Sequence, residues 1–161
     1  MLTRLLMILV CCATLFGCGE EVTEPAAGGP AAASQPMPAP TMARKASPPG
    51  AMVYIISPAD GEEVRNPVTV VFGLKGASIA PAGIDLPNTG HHHLIVDREL
   101  VSMDLPIPAD AQHIHFGLGQ TETAVDLAPG EHVLQLVLGD YLHRLHEPPL
   151  LSEPVTVRVV E

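Results

Sequence analysis

The chain has 161 residues, of which 47% are apolar and 3% aromatic, and it contains no tryptophan. Its formal net charge is −10, and a surface of that sign repels phosphate backbones, which argues against nucleic acid as a partner. All three cysteines lie within the first 18 residues. The rest of the chain therefore offers no disulfide framework and no thiolate as nucleophile or metal ligand.

The N-terminus has the pattern of an export signal. Residues 1–17 combine the positive charge of Arg4 with an apolar run that is short for a membrane span, and Cys18 follows directly. The sequence before Cys18 resembles the lipobox of bacterial lipoproteins, although Phe16 stands where a small residue is usual. The resemblance implies lipidation of Cys18, and Gly19 after it favours the outer membrane, facing the periplasm. Ordinary signal cleavage and an uncleaved anchor are the alternatives.

Residues 18–50 are predicted to form a disordered linker after the lipidated cysteine. Pro, Ala and Gly dominate this segment, and it has almost no large apolar side chain to bury. As a flexible coil it would span on the order of 30 Å. The linker would therefore hold the domain that follows away from the membrane surface.

Residues 51–161 are predicted to form one all-β domain. Short apolar runs alternate with turn residues, and no amphipathic helix of useful length occurs. The predicted strands are 52–56, 67–74, 91–96, 113–118, 121–127, 132–138 and 154–160, of which 121–127 and 132–138 are expected to form a hairpin. About seven short strands without crossover helices indicate an immunoglobulin-like β-sandwich.

Alternation along the strands assigns side chains to faces. Leu94 and Val96 favour a core face that includes His92, which leaves His91 and His93 on the opposite side. In the next strand Ile114, Phe116 and Leu118 are predicted to face the core and His113 and His115 to face out. His132 shares the core side of its strand with Leu134, Leu136 and Leu138, at the open end.

Eight histidines, all in this domain, are its most informative feature. A His-x-His pair on a strand projects two imidazoles from one face about 7 Å apart, so pairs on neighbouring strands could share one ion. Imidazole suits copper, zinc and nickel, and the predicted cofactor is copper or zinc. The predicted ligands are His113 and His115 first, then His91 and His93, then His143 and His146.

Carboxylates could complete such a site, and the histidines also have a simpler explanation. Asp97, Glu122 and Asp140 are candidate further ligands or hydrogen-bond acceptors that orient an imidazole. In the simpler interpretation the histidines only shape loops and cap backbone groups.

The domain resembles a bacterial family known as domain of unknown function 4399. The resemblance rests on long stretches that include Asn88, Thr89 and Gly90 followed by three histidines, and it extends from about Val53 to the end. The matching segments are 57–61, 72–76, 81–83, 88–97, 106–108, 113–117, 119–122, 139–140, His143, His146 and 148–149. It implies an exported domain, often on a lipoprotein, and no particular activity.

A looser similarity links residues 113–115 to the His-x-His copper strand of copper/zinc superoxide dismutase, another β-sandwich. The cysteine pair of that family is missing here, and a shared sandwich does not transfer function.

The sequence is compatible with three functions. The first is a lipid-anchored periplasmic domain that binds copper or zinc for buffering or delivery. The second is a non-catalytic envelope interaction module, and the third is a metal-dependent enzyme. No catalytic residues are predicted, and a non-enzymatic role is favoured.

Overall fold

A computed structural model describes residues 43–100 and 102–161. The predicted signal peptide, Cys18 and most of the predicted linker lie outside the described residues. Within the described part no helix is long and apolar enough to cross a membrane. The strands of this part are β1 (Met52–Ser57), β2 (Glu62–Val64), β3 (Val68–Lys75), β4 (Ser78–Ile79), β5 (Thr89–Val96), β6 (His113–His115), β7 (Glu122–Val125), β8 (Gly130–Gly139) and β9 (Val155–Val159).

The strands form two sheets, which confirms the predicted all-β, immunoglobulin-like sandwich. The smaller sheet has the order β1-β3-β7, and the larger has the order β2-β9-β8-β5-β4, with β6 also paired to β5. Strand β3 is rich in β-branched residues, which pack well on a pleated surface. Seven of the strands correspond to predicted ones, and the short strands β2 and β4 were not predicted.

The main core lies between the sheets. Val70 and Phe72 of the small sheet meet Leu94, Leu136 and Val157 of the large sheet, and all five are almost fully buried. Each large buried aliphatic or aromatic side chain contributes roughly 1.5–3 kcal/mol relative to an exposed one. A domain without disulfides in its described part therefore depends on this layer for its stability.

A second, smaller core covers the outer face of the large sheet. Ile95 of β5 and Val137 of β8 pack there against Ile107 and Leu145, which come from two long connections. All eight residues of β5 are buried in consequence, so both faces of this strand are shielded from solvent. This covering determines the environment of the histidines that alternation places on the outer face.

Two local predictions were wrong. Strand β7 does not form a hairpin with β8: it pairs with β3 in the small sheet, whereas β8 lies in the large one. The Asn66 side chain, which accepts from the Leu127 N–H (3.0 Å) and donates to its carbonyl (2.6 Å), ties the end of this segment to the small sheet.

The second wrong prediction placed Leu118 in the core. Leu118 is 85% exposed, because β6 ends at His115 and the chain turns at Gly119 (φ 85°).

Residues before 51 also make contacts with the domain. The Ser47 N–H donates to the Glu147 carbonyl (2.9 Å), and the Glu147 N–H donates to the Lys45 carbonyl (2.8 Å). Pro48 is buried. The last residues of the predicted linker therefore belong to the folded domain.

Candidate metal centre

Strand pairing brings three histidines together on the outer face of the large sheet. His91 and His93 alternate with the core residues of β5 and point to the opposite side, as predicted. The antiparallel register of β5 and β6 places His115 directly opposite His93. Since facing residues have Cβ atoms about 5 Å apart, their imidazoles are neighbours.

His143 completes the group from the connection that follows β8. The ring centroid of His143 lies 4.7 Å from that of His115 and 4.9 Å from that of His91. The rings of His91 and His115 are 5.0 Å apart, and that of His93 lies 4.9 Å from His91. We call His91, His93, His115 and His143 the four-histidine cluster.

The ring nitrogens of this cluster converge. The Nε2 atoms of His91 and His93 are 3.0 Å apart, and those of His115 and His143 are 3.2 Å apart. His91, His115 and His143 each offer one ligand atom, and these three atoms lie within 4.8 Å of one another. Two nitrogens bound tetrahedrally to one zinc ion would be roughly 3.3 Å apart, given bonds of about 2.0–2.1 Å. The donor set and its spacing therefore fit a transition metal ion.

The cluster is buried on one side and accessible on the other. His91 and His93 are fully buried, whereas His115 and His143 are half-buried. Gly139 of β8 leaves room for the deeper pair, since a Cβ atom there would lie 3.0 Å from Nε2 of His93. An ion would consequently reach the site past His115 and His143.

Burial keeps the imidazoles of His91, His93 and His115 neutral. Desolvation, followed by the charges of His143 and His115, lowers the pKa of His91 to about 4. Desolvation, followed by the charge of His91, lowers the pKa of His93 to about 2, and desolvation also lowers the pKa of His115. Neutral imidazole is the form that binds metals, so these three rings can coordinate an ion at neutral pH without first releasing a proton.

Two buried nitrogens of the cluster have no hydrogen-bond partner. The Nδ1 atoms of His91 and His93 are unpaired, and leaving a buried polar group unpaired costs about 1–3 kcal/mol. The facing Nε2 atoms can pair with one another, because in each contact one imidazole donates its proton and the other accepts it. A cation at the centre would replace these two contacts with bonds to the converging Nε2 atoms.

The backbone at His143 adopts an unfavourable conformation. Its φ angle is +62°, in the left-handed region that non-glycine residues seldom occupy. Such a conformation persists only where the surroundings enforce it, and it is concentrated at functional sites. The strain at His143 is therefore a local cost of placing its imidazole over the other three.

A comparison of two substitutions tests this strain. Both His143→Gly and His143→Ala remove the imidazole, but glycine adopts positive φ without steric cost. We expect the glycine variant to be more stable to urea, without metal, by about 1 kcal/mol. Equal stability of the two variants, or greater stability of the alanine variant, would show that the backbone at this position is unstrained.

Two of the predicted ligands lie outside the cluster. His113 lies opposite Ile95, and its Nδ1 contacts Asp110 Oδ1 at 2.9 Å. His113 is two residues from His115 on the same strand, which places the two about 7 Å apart at a rise of about 3.4 Å per residue. The Nδ1 of the buried His146 contacts the Leu138 carbonyl at 3.3 Å. His146 is nonetheless close enough for its charge to lower the pKa of His91.

The candidate carboxylates have other contacts. Asp97 binds His132, with 2.7 Å between Oδ2 and Nδ1, and Glu122 is exposed on the small sheet. Hydrogen bonding to Asp97 raises the pKa of His132. Asp140 accepts hydrogen bonds from the loop that carries His143, and its position near that histidine is the only signal of this contact in the sequence.

Comparisons with known proteins identify a family. The family described as "Domain of unknown function (DUF4399)" matches residues 70–160, a segment that contains the whole four-histidine cluster. Among solved structures, the chain is similar to the fibronectin(III)-like modules of Clostridium thermocellum CbhA, with 14% identity over 67% of this chain and 93% of that one. The TM-score of this match is 0.31, too low to support an inference. No curated protein matches the chain. The family match covers more than half of the sequence, and the chain belongs to the family Domain of unknown function (DUF4399).

Proposed function

We propose that this protein is a lipid-anchored periplasmic domain that binds one transition metal ion, copper or zinc, for buffering or delivery. The observation that carries the proposal is the convergence of ligand atoms from His91, His115 and His143 within 4.8 Å. His93, whose Nε2 is 3.0 Å from that of His91, would supply a fourth nitrogen. Three separate segments of the chain contribute these rings.

The chemistry of the donors supports copper or zinc. All four donors are imidazole nitrogens, which suit copper, zinc and nickel, and hard cations such as calcium prefer oxygen. The net charge of −10 would favour the approach of a cation. The lipid anchor at Cys18 and the outer-membrane location rest on the N-terminal sequence alone.

Titration of the untagged protein with Cu²⁺ and Zn²⁺ tests the proposal. We expect saturable binding of one ion per chain for at least one of these metals, with a dissociation constant below about 1 μM. His132→Ala is a matched control, because it removes an imidazole that binds Asp97 outside the cluster. Its affinity should equal that of the native protein.

Weak, non-saturable binding by the native protein would contradict the proposal. The histidines would then shape loops in a non-catalytic envelope interaction module. Loss of binding in the His132→Ala control would instead relocate the site to another part of the domain.

A further inference from the structure

The loop that carries His143 is organised around the buried carboxylate of Asp140. The Asp140 side chain is 2% exposed, and its Oδ1 accepts from the N–H groups of Leu142 (2.8 Å) and Arg144 (2.9 Å). Hydrogen bonds to a carboxylate are stronger than those between neutral groups. Asp140 therefore holds the backbone on both sides of His143.

Further backbone hydrogen bonds fix His143 itself. Its N–H donates to the Asp140 carbonyl (2.9 Å), and its carbonyl accepts from the N–H of Ile107 (2.7 Å). The N–H of Asp140 donates to the Arg144 carbonyl (2.8 Å), which closes the loop. Together these bonds hold His143 at its φ of +62°.

We propose that Asp140 is a positioning residue of the metal site, which it serves by holding His143 over the other three imidazoles. This inference rests on the proposed function. Asp140 acts through the loop backbone, because its Oδ1 already accepts two hydrogen bonds from the N–H groups that flank His143. Loss of a residue that supports a metal ligand typically weakens metal binding 10–100-fold.

Substitutions at Asp140 in the full chain test its role by titration with Cu²⁺ and Zn²⁺. Asp140→Ala removes the acceptor and should weaken binding about 10–100-fold. Asp140→Asn keeps an acceptor oxygen at the same place, so it should restore affinity to within about threefold of native. Asp140→Ser has a shorter side chain that cannot reach both N–H groups, so it should weaken metal binding as Asp140→Ala does.

Asp97→Ala is the matched control. Asp97 also has a positive φ (56°), and its Oδ1 accepts from the Val133 N–H at 2.8 Å, but its histidine partner lies outside the cluster. This substitution should destabilise the fold without changing metal affinity. A comparable loss of affinity in Asp97→Ala would show that general destabilisation explains the effect at Asp140.

A double-substitution cycle separates positioning from direct coordination. If Asp140 acts only through His143, adding Asp140→Ala to a His143→Ala protein should cause no further loss of affinity. A further loss, or an Asp140→Asn variant as weak as Asp140→Ala, would overturn the inference. Failure of both the alanine and the serine variants to fold would also overturn it, because Asp140 would then support the whole domain.

The outcomes distinguish this inference from the proposed function. An absence of binding in the native protein contradicts the metal site itself. Tight native binding that weakens with His143→Ala, together with native affinity in Asp140→Ala, contradicts only the role of Asp140.

Discussion

Replacement of His115 by alanine is expected to weaken Cu²⁺ or Zn²⁺ binding on the order of 100-fold or more. Loss of a residue that only supports a ligand typically weakens metal binding by about 10–100-fold, so loss of a ligand itself should cost at least as much. His115 provides one of the three convergent ligand atoms, and its Nε2 lies 3.2 Å from that of His143. The measurement is a competition titration against a chelator of known affinity, with native protein and variant at the same pH.

His113→Ala is the sharpest control for that experiment. His113 lies on the same strand and the same face, two residues away, but it binds Asp110 and not the cluster. We expect its affinity to stay within about threefold of native, since no ligand atom of the cluster is lost. Equal losses in both variants would show that the whole strand, rather than the His115 imidazole, determines binding. Native affinity in His115→Ala would exclude the proposed ligand set.

The metal-free domain is expected to lose stability steeply as the pH falls from 6.5 towards 4. Above pH 6.5 the imidazoles of His91 and His93 are neutral in both the folded and the unfolded state. Below it the unfolded chain takes up protons at the ordinary pKa of 6.5, whereas His91 in the folded state stays neutral until about pH 4. The unfolded state binds more protons in this window, so the free energy of unfolding decreases with falling pH.

The expected size of this effect is large. At pH 5, His91 and His93 would each lower the free energy of unfolding by about 2 kcal/mol, from pKa values of about 4 and about 2. A typical domain has a total stability of about 5–15 kcal/mol. Urea unfolding of metal-free protein between pH 7 and 5 measures this decrease in the free energy of unfolding. Most carboxylates have ordinary pKa values near 4 and do not yet titrate in that range.

Two comparisons make the pH experiment specific. The pKa of His132 is raised, so its effect on stability is opposite to that of His91 and His93. It stabilises the folded state at low pH, and this stabilisation is lost as the pH rises through the raised pKa. His132→Ala should therefore leave the loss of stability at acid pH in place. Saturating metal should stabilise the folded protein at pH 7 by mass action. Unchanged stability between pH 7 and 5 in metal-free protein would contradict the neutral, buried state of His91 and His93.

The local pattern of the sequence determined the sandwich and part of the site. Turn residues between short apolar runs indicated most of the strands, and period-two alternation correctly separated His92 from His91 and His93. The same rule grouped His113 with His115, because alternation reports the face of a strand and not the position along it. Only the second of these histidines joins the cluster.

The tertiary structure decided what no local pattern encodes. Whether β7 pairs with its neighbour in sequence or crosses to the other sheet depends on long-range contacts such as that of Asn66 with Leu127. The burial of His91 and His93 on an outer face depends on Ile107 and Leu145, which come from irregular connections. His143 meets the strand histidines because a loop held by Asp140 folds back over the sheet. The residue types and their alternation are properties of the sequence, whereas the convergence of four imidazoles requires contacts between distant segments that pack only in the folded chain.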